Sequence, residues 1–344
     1  MKIVSLETQL KNIPLKTPFI TALRRVENVE FVRVTLVCDN GLRAIGEAPA
    51  TKAITGEDLD TIVASVESIK ATLLLHTPNE ALELLHASSI GSSAKASIDM
   101  ALVSLLAQEK NQELYSYLGG EDVTTLQTDI TVSLKNQSLM LEDSISYCDN
   151  GMNILKVKLG EDIEHAIAVS KDISKHLPDA KLIIDANQAW SLEDSLSYVD
   201  AMKGINIELI EQPVIAKDRE SLKLITQKSH IPILADEAVF SLSDAKEVVE
   251  SNSADMINIK LMKCGGLTKA IEILEYARSK DIECMLGSML EGPHSINAAL
   301  HLAMAYTDII KYIDLDSPLL YKEASDELEF SFNNKYITLN KKSY

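Results

Sequence analysis

Lys158, Asp185, Glu211, Asp236, Lys260, Ser288 and Asp314 follow one another along the chain at intervals of 27, 26, 25, 24, 28 and 26 residues. Three consecutive members are carboxylates, and a lysine stands on either side of them. Each ends or interrupts an apolar stretch such as Val157-Lys158-Leu159 or Ile259-Lys260-Leu261, where a charge is costly unless it is paired or bound to a metal. Asp185, Glu211 and Asp236 suit a hard, oxygen-preferring cation such as Mg²⁺, which keeps positions open for water or substrate oxygens. For one aspartate alone a helix cap or a strand-end ion pair is the plainer reading, and for one lysine a snorkelling ammonium; the shared phase argues against both. With a metal between two lysines, a proton next to a carboxylate can leave toward one face and return from the other. The cation stabilises the doubly negative enediolate, and a lysine whose pKa is lowered by nearby positive charge acts as base. Lys156 shares a strand face with Lys158, and it and the metal are the neighbours expected to lower it. The chemistry implied is racemisation or epimerisation.

Positioning one such group every two dozen residues calls for repeating βα units. Short apolar stretches alternate with helix-period segments from about residue 128 onward, the pattern of parallel strands. Strands are expected at Asp129–Leu134, Ile154–Leu159, Lys181–Asp185, Ile207–Glu211, Ile231–Asp236, Asp255–Leu261, Glu283–Ser288 and Lys311–Asp316, with helices starting near Ser191, Asp218, Ser241 and Ser295. Eight strands fit a closed barrel, whose strand ends meet at one mouth; an open doubly wound sheet is the alternative. Before them lie strand-like stretches at Lys2–Leu10, Glu30–Cys38 and Leu42–Ala48, the last two joined by Asp39-Asn40-Gly41, and helical ones at Glu57–Leu75 and Ser92–Lys110. Glu327–Leu339 reads as a hairpin that returns toward this first domain.

The chain has 344 residues, more than one hydrophobic core of roughly 250–300 residues accommodates, so two domains are expected. A formal charge of −18 repels nucleic acid and anionic lipid. No basic leader precedes an apolar run, and no stretch reaches the roughly 18 apolar residues of a membrane span; a cytoplasmic location is expected. Cys38, Cys148, Cys264 and Cys284 form no CxxC pair and read as reduced thiols.

The motifs Lys156-Val157-Lys158, Asp185-Ala186-Asn187, Glu211-Gln212-Pro213, Ala235-Asp236-Glu237, Asn258-Ile259-Lys260 and Cys264-Gly265-Gly266 resemble those of the enolase superfamily, in its muconate lactonizing enzyme-like subgroup, whose sites pair a lysine or histidine base with Mg²⁺. Ala94 to Ala101 and Tyr115 to Gly120 resemble the family's capping domain, with Ser97 in place of a usual alanine. The resemblance implies an α/β fold, a modified TIM barrel (β/α)₇β over residues 126–317. An α+β capping domain over 1–125, joined by the tail 318–344, would complete it. It implies one Mg²⁺ per subunit on Asp185, Glu211 and Asp236, catalytic Lys158 and Lys260, and Lys156 against the substrate carboxylate.

Asp314-Leu315-Asp316 resembles the DxD motif of dipeptide epimerases, in which two carboxylates grip the ammonium of a dipeptide; a solvated acidic strand end is the bland alternative. Thr131, Ser288 and Leu290 join the expected substrate contacts. Arg24, in Thr21-Ala22-Leu23-Arg24-Arg25, matches an arginine that meets a glutamate side chain, against the alternative of a mobile surface arginine. The expectation is an isomerase interconverting L-Ala-L-Glu and L-Ala-D-Glu type dipeptides derived from murein. N-acylamino acid racemisation, o-succinylbenzoate synthesis and muconate cycloisomerisation on the same site are the rivals, and a non-catalytic dipeptide binder is a more distant one. Barrel enzymes commonly form symmetric oligomers, so a homo-oligomer with a small-molecule substrate is expected.

Overall fold

The computed structural model describes residues 1–121 and 125–340. Three antiparallel strands open the chain, β1 (Ile3–Ile20), β2 (Arg25–Cys38) and β3 (Arg43–Pro49), in that spatial order. The turn expected at Asp39-Asn40-Gly41 forms, with Gly41 at φ 85°, a conformation glycine adopts without penalty. β1 runs twice as far as the sequence suggests, past Pro14 and Pro18, and its pairing with β2 shifts register between Pro14 and Phe19. It is an edge strand, the one place in a sheet where a proline's missing N–H goes unneeded.

Helices Leu59–Leu73, Pro78–Ala87 and Ser92–Glu109 pack beside this sheet. The second of them was not expected; Thr77 and Glu80 cap it reciprocally and Pro78 starts it, signals that are legible in the residues. Ser92–Glu109 is buried on nearly every side. It meets β3 backbone to backbone, because a Cβ at Gly46 would stand 1.9 Å from the Ser97 carbonyl oxygen.

β4 (Leu126–Gln127) pairs with the tail hairpin β13 (Phe330–Asn333) and β14 (Tyr336–Leu339). Between them lie eight parallel strands: β5 (Ile130–Val132), β6 (Ile154–Lys158), β7 (Lys181–Asp185), β8 (Ile207–Glu211), β9 (Ile233–Ala235), β10 (Met256–Ile259), β11 (Cys284–Gly287) and β12 (Ile310–Asp314). They follow one another in space in sequence order. The first and last meet where Asp129 N donates to Ile313 O at 3.1 Å, so the sheet is a barrel and not a doubly wound layer. Asp162, Ser191, Asp218 and Ser241 cap the helices that follow four of the strands. Ser295 does not: its helix runs Pro293–Ala305, since a proline without an N–H suits the first helical position, and Ser295 instead donates from the first turn to Glu291.

Residues two apart on a strand share a face, and the barrel's inward face changes chemistry from bottom to top. Ile154, Ile183, Leu209, Leu234, Met256 and Met285, with Tyr312 beside them, form an apolar plug. Two residues further along the same strands stand Lys156, Asp185, Glu211, Asp236, Asn258, Gly287 and Asp314. An apolar floor therefore carries a polar layer.

The first sheet is tied to this barrel by buried charges. Arg33 donates to Glu47 Oε1 at 2.8 Å and to both oxygens of Glu327 in the tail, at 2.6 and 2.7 Å. Glu47 Oε2 in turn accepts from His294 N at 2.8 Å, at the start of the helix after β11, where a carboxylate is favoured by the helix dipole. All four cysteines are free. No helix among the described residues is long and apolar enough to cross a membrane.

Replacing Gly46 with alanine forces the Ser92–Glu109 helix off β3. The expected cost is about 3 kcal/mol or more, the upper range for overpacked cores, read as a shift in the urea midpoint; an unchanged midpoint would mean that this contact does not limit stability.

Candidate active site

Lys156 is the centre of the polar layer. It is fully buried, and its Nζ lies 2.6 Å from Asp314 Oδ2, 2.7 Å from Glu211 Oε2 and 3.4 Å from Asp185 Oδ2. Burial works to lower its pKa, but these carboxylates outweigh burial and hold it well above the ordinary lysine value. The contact with Glu211 is close but poorly aligned, so Glu211 Oε2 is left without a hydrogen bond. Asn258 Nδ2 donates to the other oxygen, Oε1, at 2.8 Å. Burial and the neighbouring Asp185 push the Glu211 carboxyl up to about 7.

Lys158 and Lys260 stand at opposite ends of the carboxylate set. Lys158 Nζ donates to Asp185 Oδ2 at 2.5 Å, on the strand next to its own. Lys260, just beyond β10, donates to Asp236 Oδ2 at 2.7 Å and lies 3.9 Å from Glu211. Burial works to lower the Lys260 pKa, but Asp236 holds it above the ordinary value. For Lys260 the nearest company is thus a carboxylate and not a cation. Lys263, one turn past Lys260, donates to Asp236 Oδ1 at 2.6 Å.

The mouth above this layer is lined by Thr131, Lys158, Asn187, Asp236, Glu237, Lys260, Ser288, Met289, Leu290, Asp314 and Asp316 from the barrel. Phe19, Thr21, Leu23, Arg24, Ala53 and Ile54 line it from the first domain. The Arg24 guanidinium reaches Ala50 O at 3.5 Å, and burial lowers its pKa. Asp185, Glu211 and Lys156 lie just beneath. All twelve residues singled out in the sequence thus converge, nine as lining and three as floor.

Asp314 and Asp316 come together differently from expectation. β12 ends at Asp314, and Asp316 sits in the next turn at φ −84° and ψ −7°, so the chain bend and not the strand pleat brings the two side by side. Asp316 Oδ2 accepts from Thr131 N at 2.7 Å. Burial and Asp314 push Asp316 up to about 6, while Asp314, despite its burial, is held below its usual value by Lys156. Oxygens of Asp129, Asp314 and Asp316 lie within 4.8 Å of one another, a tighter acidic group than Asp185, Glu211 and Asp236, each of which has a lysine against it.

Asp129, Asn258, Lys263 and Glu237 were not singled out as site residues. Asp129 and Asn258 carry a usable signal, since they precede Thr131 and Lys260 by two residues and share their faces. Glu237 has its carboxyl pushed up to about 8, by burial first and Asp236 second; only its neighbour Asp236 points to it in the sequence.

Residues 3–119 match the mandelate racemase/muconate lactonizing enzyme N-terminal domain, and residues 140–343 match the enolase C-terminal domain-like family. The chain belongs to the enolase superfamily. A superfamily relative from Sulfurimonas denitrificans, the L-amino acid-D/L-Glu epimerase, is 57% identical over 97% of this chain and 98% of its own. The L-Ala-D/L-Glu epimerase of Bacillus subtilis, solved as a substrate-liganded complex, superposes with a TM-score of 0.94 at 38% identity, over 99% of this chain and 97% of that one. The dipeptide epimerase of Enterococcus faecalis V583, solved with Mg and L-Leu-L-Tyr, gives a TM-score of 0.92 at 33% identity, over 99% and 98% of the two chains.

Replacing Lys156 with methionine strips Asp314, Glu211 and Asp185 of their shared cation. The expected loss is about 3–5 kcal/mol near neutral pH, as for a broken buried ion pair. The folded-state pKa values of these carboxyls rise in the variant, so its stability is kept at low pH and lost as pH climbs. The deficit against wild type, from denaturant titrations, should be smallest near about pH 5 and grow above about pH 7; a deficit independent of pH contradicts the assignment.

Proposed function

We propose that this superfamily member is a dipeptide epimerase that interconverts L-Ala-L-Glu and L-Ala-D-Glu type dipeptides, moving the α-proton of the second residue between Lys158 Nζ and Lys260 Nζ. The observation that carries this reading is the presence of Asp314 and Asp316 in the same mouth as the two opposed lysines. A substrate with a free ammonium neutralises that pair, whereas an N-acylated amino acid or a muconate leaves two adjacent carboxylates with Lys156 alone, which Glu211 and Asp185 share. The relatives named above as D/L-Glu and dipeptide epimerases support the same class.

Asp185, Glu211 and Asp236 would hold one divalent cation, Mg²⁺ by their all-oxygen chemistry, and the buried, unbonded Glu211 Oε2 fits that role. A cation there supplies positive charge opposite the substrate carboxylate as negative charge builds on it. Asn258 and Lys263 orient Glu211 and Asp236 from behind. Lys156 shares the substrate carboxylate's charge from below. Lys158 on one side and Lys260 on the other leave the α-carbon accessible to a base on each face, and the acceptor of the first proton follows from the substrate's configuration. Asp314 and Asp316 hold the ammonium, with Thr131, Ser288 and Leu290 beside them. Arg24 pairs with the glutamate side chain, its planar fork matching a carboxylate.

Chiral chromatography of L-Ala-L-Glu incubated with the protein and Mg²⁺ is expected to show conversion to a mixture with L-Ala-D-Glu. Lys158→Ala and Lys260→Ala should each lower turnover by roughly 10²–10⁴-fold, the range for a lost acid/base group. Arg24→Met should erase a preference for L-Ala-L-Glu over L-Ala-L-Leu of about 10–100-fold in kcat/KM, the worth of a charged hydrogen bond. Wild-type protein that leaves the dipeptide unchanged, or a lysine variant at full turnover, sinks the reading.

A further inference from the structure

Asp129 is a buried acid that the chemistry above does not use. It is 1% exposed, and neither of its carboxyl oxygens has a hydrogen-bond partner. It stands two residues before Thr131, with an oxygen within 4.8 Å of both Asp314 and Asp316. Those two have partners, Lys156 Nζ at 2.6 Å and Thr131 N at 2.7 Å, and they line the mouth. Asp129 is not among the lining side chains. The charged groups facing it are Asp314 and Asp316 from β12 and the turn after it, Lys156 from β6 and Glu211 from β8.

Three carboxyls this close cannot all ionise when the one nearby ammonium is shared with Glu211 and Asp185 as well. Burial, then Asp314 and Asp316, push Asp129 well above the ordinary aspartate value, while Lys156 holds Asp314 low. A substrate cation entering from the mouth meets Asp314 and Asp316, not the acid behind them. The occupant that fits behind the pair is a proton.

We propose that Asp129 is a neutral carboxylic acid that donates its proton in a hydrogen bond to the Asp314 and Asp316 pair, setting that pair for the substrate ammonium. It is a positioning residue of the dipeptide site, and this inference rests on the dipeptide-epimerase reading. With Asp129 neutral, the two charges of the pair are matched by Lys156 and one incoming ammonium, so a free dipeptide is favoured over one whose amino group is blocked.

The test compares wild type, Asp129→Asn and Asp129→Leu, loaded with Mg²⁺, on L-Ala-L-Glu and its N-acetyl derivative. Leucine, which donates nothing, should raise KM for the free dipeptide about tenfold or more, the worth of one hydrogen bond to a charged group, with kcat within about threefold. Asparagine, whose amide N–H can donate, should restore KM to within about threefold of wild type. KM for the N-acetyl compound should move less in both. Infrared difference spectra between wild type and Asp129→Asn at neutral pH should contain the C=O band of a protonated carboxyl, present only in wild type. An Asp129→Asn protein as impaired as Asp129→Leu, an Asp129→Leu protein with wild-type KM, or the absence of that band overturns the proposal. Should the leucine variant not fold, the band and the asparagine KM decide alone. Wild-type protein inert toward the dipeptide defeats the functional reading instead, and the infrared measurement still tests the proton on Asp129.

Discussion

A charge sealed inside a barrel survives only beside opposite charge, and Lys156 is the point at which this barrel meets that requirement. One ammonium from β6 reaches carboxylates on β12, β8 and β7, strands far apart in the chain. Burying it costs several kcal/mol before any pairing. The same contacts hold Asp314 below its usual pKa and fix Asp185 and Glu211, two of the acids that would hold a cation. Replacing that ammonium removes the common partner of Asp314, Glu211 and Asp185 at once.

Around that centre the two kinds of chemistry are divided between parts of the fold. The barrel's inward residues bring the lysines and carboxylates of the proposed reaction, each on a strand end fixed by its neighbours: Lys158 is in register with Asp185, and Asp185 with Glu211. Thr21, Leu23 and Arg24 come from the connection between β1 and β2, with Phe19 at the end of β1 beside them, and in such a connection sequence can change without disturbing the barrel. The Arg33, Glu47 and Glu327 cluster fixes that first sheet against the helix following β11, whose preceding loop carries Ser288 and Leu290. Chemistry thus rests on the rigid layer and side-chain choice on the adjustable one.

Much of this was legible because strand geometry is strict. A period of two along each strand and of about two dozen residues between strands was enough to predict the barrel and the convergence of Asp185, Glu211, Asp236, Lys158 and Lys260 at one end of it. What escaped notice depends on contacts that no periodicity encodes. Asp316 reaches Asp314 through a turn, not through a pleat. The first strand was expected only over Lys2–Leu10, yet as an edge strand it runs on past Pro14 and Pro18 to Ile20. Ser295 has the right chemistry for a helix cap but is preceded by Pro293, which starts the helix earlier. Asp129 looked like the first residue of a strand; only the closure of the barrel, bringing β5 against β12, reveals the two acids beside it.

The central claim is that Lys158 and Lys260 address opposite faces of one α-carbon. Proton NMR in deuterated water, with L-Ala-L-Glu and L-Ala-D-Glu supplied separately to the Lys158→Ala and Lys260→Ala proteins, tests it most directly. The account predicts that each variant washes out the α-proton of one diastereomer only, and that the two variants choose opposite ones. Exchange of the same diastereomer by both variants would contradict it.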